Sequence, residues 1–231
     1  MTVINPDGSE AEACGNGLRC MAKYIIDNSL SSDYKELTIG TRAGTRTAKV
    51  IEKLHDGTKI ETSMGEPEFK AELIPVDLNE VKYAKQLGFS FLTGYSIVKD
   101  GTLLKLSFAS MGNPHAVYFT ENPVEDFPLE DVGPFVETHS FFPNRANFEI
   151  ARVMNRGEID ARVWERGAGE TLACGSGACA IGVISHLLGF TDIPVTVKLP
   201  GGSLVVDWYN YREVFLQGIA KTVFTGEFIK Y

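Results

Sequence analysis

The feature that most constrains the fold of this chain is a short motif that occurs twice. Residues 10–17 read EAEACGNG and residues 170–177 read ETLACGSG. Glutamate, alanine, cysteine and two glycines recur at equal offsets, five matches in eight positions. The glycines permit a tight bend directly after each cysteine. A local motif repeated in this way indicates two similar units within one chain.

A helical pattern follows each copy of the motif. The first helix is predicted to begin near Asn16 and to end at Asn28, and the second to begin near Ser176 and to end before Gly189. Their apolar residues recur at the spacing of one buried helix face: Leu18, Met21, Ala22, Ile25 and Ile26, then Ala180, Val183, Ile184, Leu187 and Leu188. Each cysteine is therefore predicted to lie at the N-terminus of a helix.

Most of the remaining sequence has the pattern of short strands. The predicted strands are 36–41, 46–54, 58–64, 95–100, 102–110, 115–120, 147–154, 158–165, 195–199, 203–209, 213–218 and 222–229. The Pro-rich, acidic stretch 121–134 is predicted as loop with short helical turns.

These elements predict an α+β protein of two pseudo-symmetric domains, each a curved, mostly antiparallel sheet around a central helix. A break in the strand pattern near Gly65-Glu66-Pro67 marks the predicted boundary. The N-terminal domain is predicted over 1–68 plus 220–231, and the C-terminal domain over 69–219.

Charge and hydropathy narrow the classes of partner and location. The formal net charge is -8 and no basic run is present, which argues against nucleic acid and anionic membranes as partners. The first residues lack the pattern of a signal peptide, and the longest apolar run, 178–184, is too short for a bilayer. We expect a cytoplasmic protein, whose four cysteines are thiols or ligands rather than structural disulfides.

The position of Cys14 and Cys174 predicts acid–base chemistry. A helix N-terminus carries partial positive charge and free N–H groups, so we expect a lowered thiol pKa and a place for a carboxylate. Two such thiols facing one cavity suit inversion at the α-carbon of an amino acid. One thiolate removes the α-proton, the other thiol returns a proton to the opposite face, and the helix N-termini stabilise the carbanionic intermediate without a cofactor.

A cysteine can also be a packing residue, a zinc ligand or half of a disulfide. Cys20 and Cys179 fall inside the predicted helices, where a cysteine is usually a small packing residue. A four-cysteine zinc site is disfavoured, because five and four residues separate the two cysteine pairs instead of the usual two. A disulfide between Cys14 and Cys174 would form only on oxidation and would inactivate the protein.

Polar residues outside the motif form further candidates. Glu165 continues the inward face of the strand 158–165 and could pair with an ammonium group, and Arg166 could hold a carboxylate. Each could equally belong to a salt bridge at the strand end. His115 and Asn113 lie in a Gly/Pro turn that enters a strand, and His115 could tune a thiol or cap the turn.

Taken with their flanks, these segments resemble the diaminopimelate epimerase family. The resemblance rests on NPDGSEAEACGNGLRC (5–20), SMGNPHAV (110–117), RAN (145–147), WERGAGETLACGSGACA (164–180) and GIAKTVFTGEF (218–228). It implies a cofactor-independent, metal-free enzyme that interconverts LL- and meso-diaminopimelate in lysine and peptidoglycan biosynthesis. It also implies two pseudo-symmetric domains with the site between them, and a homodimer.

The resemblance also implies roles for individual residues. Cys14 and Cys174 match the catalytic acid/base pair, and Glu165 with His115 matches residues that support the cysteines. The positions that match the family's substrate-binding residues are Asn5, Asn113, Asn147, Glu165 and Arg166, with Gly15-Asn16 and Gly175-Ser176 as backbone cradles for the α-carboxylate.

The sequence departs from the family pattern at its start. Members normally carry about sixty residues, with further substrate contacts, before the segment that begins at Asn5, and without them the first domain would expose strand edges. We therefore expect the fold to persist, with an inactive amino-acid-binding form as one alternative. A racemase for another amino acid is a second alternative, although proline racemases carry histidine where Asn16 stands here. The stretch 79–105 is longer than the family norm and has no assigned role.

Overall fold

The computed structural model describes residues 1–4, 8, 14–30, 35–78 and 82–227. In chain order the elements are α1 (Gly15–Asp27), β1 (Glu36–Thr41), β2 (Gly44–Leu54), β3 (Gly57–Gly65), β4 (Tyr83–Gln86), β5 (Phe89–Lys99), β6 (Thr102–Ser110), β7 (Pro114–Phe119), α2 (Leu129–Glu137), β8 (Asn147–Asn155), β9 (Glu158–Glu165), β10 (Gly169–Thr171), α3 (Gly175–Leu187), β11 (Val195–Leu199), β12 (Gly202–Trp208) and β13 (Val214–Ala220). Short 3-10 turns lie at Val124–Asp126 and Tyr209–Tyr211.

The strands of the described residues form one continuous sheet in the order β1-β2-β3-β13-β12-β11-β9-β8-β7-β6-β5-β4, with β10 added to β9. Neighbouring strands are antiparallel except for the parallel pairs β7–β8 and β9–β11. The predicted class is confirmed as a mixed, sheet-dominated α+β fold. The division into domains at residues 68 and 220 stays a prediction. The sheet is continuous across this boundary, because β13 pairs with β12 on one edge and with β3 on the other.

The helix α3 lies at the centre of this sheet. It packs against β6, β7, β8, β11, β12 and β13, and all of its residues are buried except the half-buried Ser176 and His186. The sheet approaches the helix closely at Gly182, where a Cβ atom would lie 2.8 Å from Val206 Cγ1. This arrangement agrees with the uniformly apolar pattern predicted for the second helix.

The helix α1 is buried on one face only. Leu18, Ala22 and Ile26 pack against a small core from β1, β2 and β3, whereas Tyr24 on the opposite face is 64% exposed. A separate apolar core lies between α2 and the sheet, and Leu129, Val132 and Val136 of α2 belong to it. Among the described residues, no helix has the length and apolar character that crossing a membrane would require.

Three predictions of local structure need correction. The segment 129–137 is a full α-helix rather than short turns, because Leu129, Val132 and Val136 repeat at helical spacing and bury one face. The predicted last strand, 222–229, is not a strand over residues 222–227, which are exposed, and 228–229 lie outside the described residues. The strands β4 and β10 were not predicted.

Candidate active site

Both copies of the cysteine motif fold in the same way. Cys14 and Cys174 have extended backbone conformations and are the N-cap residues of α1 and α3. In each, the cysteine Sγ accepts a hydrogen bond from the backbone N–H three residues on, from Gly17 at 3.3 Å and from Gly177 at 3.4 Å. The thiol thus takes the capping position that Ser or Asp usually occupies.

The two helix N-termini meet. A Cβ atom on Gly175 would lie 3.4 Å from Cα of Gly15, an ordinary van der Waals distance, and 3.1 Å from Leu216 Cδ2, a tight contact. Asn16 Nδ2 also donates to the Ala173 carbonyl at 3.1 Å, which ties one motif to the other. Two positive helix ends are therefore held side by side, an arrangement that favours a bound anion.

The environment of Cys174 contradicts the predicted lowering of its thiol pKa. Cys174 is 5% exposed. Burial raises its pKa well above the usual value, and the carboxyls of Glu165 and Glu149 act in the same direction. Hydrogen bonds from Ser176 and from the Gly177 N–H oppose the shift without reversing it. The helix N-terminus alone therefore does not determine the protonation of this thiol, because desolvation outweighs it.

The first motif lies in a different environment. Cys14 is half-buried, and Arg19 on the same helix interacts electrostatically with it. Arg19 is 5% exposed and donates to Asn16 Oδ1 at 2.5 Å, while its Nη1 has no partner among the described residues. Arg19 also lines an open cavity of about 600 Å³ with Ser203 and Lys221. Arg19 acts electrostatically on the thiols of Cys179 and Cys20 more strongly than on Cys14, whereas two carboxyls act on Cys174.

A buried glutamate that sequence reasoning missed lies beside the second motif. Glu149 on β8 is fully buried, and its Oε1 lies 2.6 Å from His115 Nδ1. The other ring nitrogen, Nε2, lies 3.0 Å from Asn113 Oδ1. A signal for Glu149 existed, because it stands two residues after Asn147 and therefore on the same face of the strand.

The side chain of Asn147, the first residue of β8, is hydrogen-bonded to the first residue of β7 and to the residue that follows β9, the two strands that flank β8. It is 2% exposed, its Nδ2 donates to the Pro114 carbonyl at 3.0 Å, and its Oδ1 accepts from the Arg166 N–H at 2.9 Å. These bonds fix the start of β7 against the end of β9. The side chain predicted to bind substrate is thus also the link that positions Arg166.

The remaining predicted residues lie around the same helix start. Glu165 at the end of β9 is half-buried and accepts from Thr171 Oγ1 at 2.5 Å, and Arg166 Nη1 donates to the Asn144 carbonyl at 3.4 Å. The Ser176 hydroxyl lies 3.5 Å from Cys174 Sγ. Asn5 lies outside the described residues.

The other two cysteines, Cys179 and Cys20, lie in different environments. Cys179 is fully buried in the core around α3, and burial raises its pKa to about 12. Cys20 is exposed, so its predicted role as a packing residue is wrong: it lies on the side of α1 that the sheet does not cover. In the described part of the chain no group of three or more His, Cys, Asp or Glu side chains is arranged to hold a metal ion.

The fold is shared with solved proteins that have little sequence identity to this chain. It resembles a solved hydroxyproline epimerase from Agrobacterium vitis, with a TM-score of 0.64 at 12% identity over 94% of this chain and 66% of that one. It also resembles a PhzF-family phenazine biosynthesis protein from Bacillus anthracis, with a TM-score of 0.63 at 18% identity over 94% of this chain and 76% of that one.

Sequence comparison identifies the particular family. The family model described as diaminopimelate epimerase matches residues 1–70 and 107–223. A diaminopimelate epimerase of Acetivibrio thermocellus is 41% identical over 98% of this chain and 78% of its own length, and one of Methanococcus maripaludis is 40% identical with the same coverage. The chain therefore belongs to the diaminopimelate epimerase family, which confirms the predicted resemblance. The residues between the two matched segments, 71–106, include the stretch 79–105 predicted to be longer than the family norm.

Proposed function

We propose that this protein inverts the α-carbon of diaminopimelate, between the LL and meso forms, by proton transfer through Cys14 and Cys174. The observation that carries the proposal is the meeting of two cysteine-capped helix N-termini, with Gly15 and Gly175 in contact. Family membership supports the substrate and the isomerase class.

The substrate's α-carboxylate binds at the paired helix starts. The first backbone N–H groups of an α-helix have no partner within the helix, and those of Gly15-Asn16 and Gly175-Ser176 lie at the first turns of α1 and α3. They stabilise the negative charge that develops when the α-proton leaves, which is the role of an oxyanion hole. The chemistry of the site then needs no bound cofactor.

The surroundings of the two thiols divide their roles. Burial and two carboxyls favour the protonated form of Cys174, which makes it the acid. Cys14 is the more exposed of the two thiols, and we assign it the role of the base. The Cys14 thiolate takes the α-proton and becomes a thiol, while Cys174 gives its proton to the opposite face and becomes a thiolate. The reverse reaction uses the opposite pair of states.

The other predicted residues complete the site. Asn5, Asn113, Asn147, Glu165 and Arg166 bind the polar groups of the substrate, and Glu165 and His115 support the cysteines. Glu165 suits this task because it acts electrostatically on Cys174 and ends a strand beside the motif. The protein works as a homodimer in the cytoplasm.

The test is incubation with LL-diaminopimelate in deuterated water, with the α-proton signal followed by NMR. Wild type is expected to lose the signal and to form the meso isomer. Cys14→Ala and Cys174→Ala are each expected to slow inversion by about a hundredfold or more, the usual contribution of a general acid or base. Cys20→Ala is the matched control, because Cys20 lies exposed on α1 outside the motif.

Two results would contradict the proposal. Inversion at the wild-type rate in Cys174→Ala would exclude the two-thiol mechanism. If the protein does not invert diaminopimelate but does invert proline or histidine, it is a racemase for another amino acid.

A further inference from the structure

The buried pair of Glu149 and His115 holds a defined number of protons. Both side chains are 0% exposed, and the parallel strands β7 and β8 carry them next to each other. Because His115 Nε2 faces the Asn113 carbonyl oxygen Oδ1, which can only accept, Nε2 must carry a proton. A second proton then lies between Nδ1 and Glu149 Oε1, which are 2.6 Å apart.

This proton count makes the pair electrically neutral. Whether the shared proton is nearer the ring or the carboxyl, the net charge of Glu149 and His115 together is zero. A neutral pair suits a site without water, since an uncompensated buried charge is costly. Burial raises the pKa of Glu149, Glu165 adds to the rise and His115 opposes it, which favours retention of the proton. Glu149 Oε2 has no partner among the described residues that would stabilise a separate anion.

The proton on Nε2 determines which end of the Asn113 amide is free. Oδ1 is engaged by the ring, so the NH2 group is the end left to bind another molecule. Asn113 is half-buried, whereas Glu149 and His115 lie behind it in the core. From the core outward, the groups are therefore the Glu149 carboxyl, the His115 imidazole and the Asn113 amide.

We infer that Glu149 is a positioning residue that acts through His115 to hold the Asn113 amide with its NH2 group toward the polar groups of the substrate. This role rests on the proposed function, in which Asn113 binds substrate. The contact that distinguishes this role lies in the second half of the molecule. The Glu149 carboxyl lies against Gly177, where a Cβ atom would be 2.9 Å from Oε1, whereas the three described atoms nearest a Cβ on Gly17 belong to Cys14 and Met1, at 3.5 Å or more.

The experiment compares wild type, Glu149→Gln and the control Glu158→Gln, which removes a carboxylate from the surface ion pair with Lys198. In ¹⁵N-histidine NMR spectra of wild type, His115, assigned by its loss in His115→Gln, is expected to carry a proton at Nε2. In Glu149→Gln the amide oxygen can accept from Nδ1–H, so the ring proton is expected to shift from Nε2 toward Nδ1. Its KM for diaminopimelate is expected to rise about tenfold, the size of one hydrogen bond between the Asn113 NH2 group and the substrate, with kcat changed less. Glu158→Gln keeps the wild-type KM.

The possible outcomes separate the two proposals. A wild-type His115 with a bare Nε2 overturns the inference even if Glu149→Gln does not fold. A folded Glu149→Gln whose KM lies within twofold of wild type, or a KM that rises equally in Glu158→Gln, also overturns it. Absence of diaminopimelate turnover in wild type overturns the proposed function alone, because the NMR measurement needs no turnover.

Discussion

The two glycines that follow the capping cysteines predict opposite effects of the same substitution. Gly17 and Gly177 occupy equivalent positions in α1 and α3, and neither has a positive φ. A Cβ atom on Gly177 would lie 2.9 Å from Glu149 Oε1 and 3.4 Å from its Cγ. A Cβ on Gly17 would meet Cys14 at 3.5 Å, an ordinary contact. Gly177→Ala therefore compresses a buried carboxyl, and Gly17→Ala does not.

The magnitudes follow from these contacts. Alanine in place of glycine inside a helix stabilises it by about 0.5–1 kcal/mol, which is the whole effect expected for Gly17→Ala. At Gly177 the same gain is opposed by overpacking, about 1–3 kcal/mol, and by the loss of the hydrogen bond between Glu149 and His115, about 1.5–3 kcal/mol. The net loss is about 1.5–5.5 kcal/mol. For a chain of 231 residues this lowers Tm by roughly 3–20 °C.

Thermal and urea unfolding followed by circular dichroism measure both variants, and the deuterium exchange assay follows activity in Gly177→Ala. We expect Gly17→Ala to unfold at or slightly above the wild-type midpoint and Gly177→Ala well below it, with slower exchange. The reasoning is refuted if Gly177→Ala is as stable as wild type, or if both variants lose the same stability. Either result would mean that the Glu149 carboxyl does not restrict this position.

Three further predictions concern buried groups. Burial and Glu165 raise the pKa of Cys174, so its thiol should react with iodoacetamide at about pH 8 more slowly than in the unfolded chain. Glu165→Gln should accelerate the reaction, which peptide mass spectrometry measures. Cys179 has a folded pKa of about 12, so its contribution to stability is complete below about pH 8.5 and is lost toward pH 12. The urea midpoint of Cys179→Ala should therefore fall less steeply between pH 9 and 11 than that of wild type. Trp164→Phe removes the 2.7 Å hydrogen bond to buried Glu137 and should lower the free energy of unfolding by about 1–3 kcal/mol in urea titrations.

Much of the fold was predictable because its signals are local. Each Cys-Gly-x-Gly segment specifies a bend and a helix start within a few residues, and both caps are present in the structure. The strands between Glu36 and Gly65 follow from alternating side chains and from the turn at His55-Asp56-Gly57. The helix α2 was missed because Pro128 and Pro134 resemble loop residues, although Pro128 precedes the helix as its N-cap.

The protonation of the site was less predictable, because it depends on strands distant in sequence. The helix N-terminus at Cys174 suggested a low pKa, and only the folded structure reveals that burial and two carboxyls, from β8 and β9, reverse this. Glu149 appeared as an ordinary member of an alternating strand. Its contact with His115 requires β7 and β8 to pair in parallel, a register that no local pattern encodes.

The proposed mechanism uses one thiol and one thiolate in each direction, although the sequence repeats one motif. In both copies of the motif the cysteine is the N-cap of a helix, and its Sγ accepts a hydrogen bond from the backbone N–H of Gly17 or Gly177. The difference comes from burial and from the neighbours, since Cys14 is half-buried while β8 and β9 add carboxyls beside the buried Cys174. The raised pKa of Cys174 therefore follows from asymmetric packing around a symmetric motif.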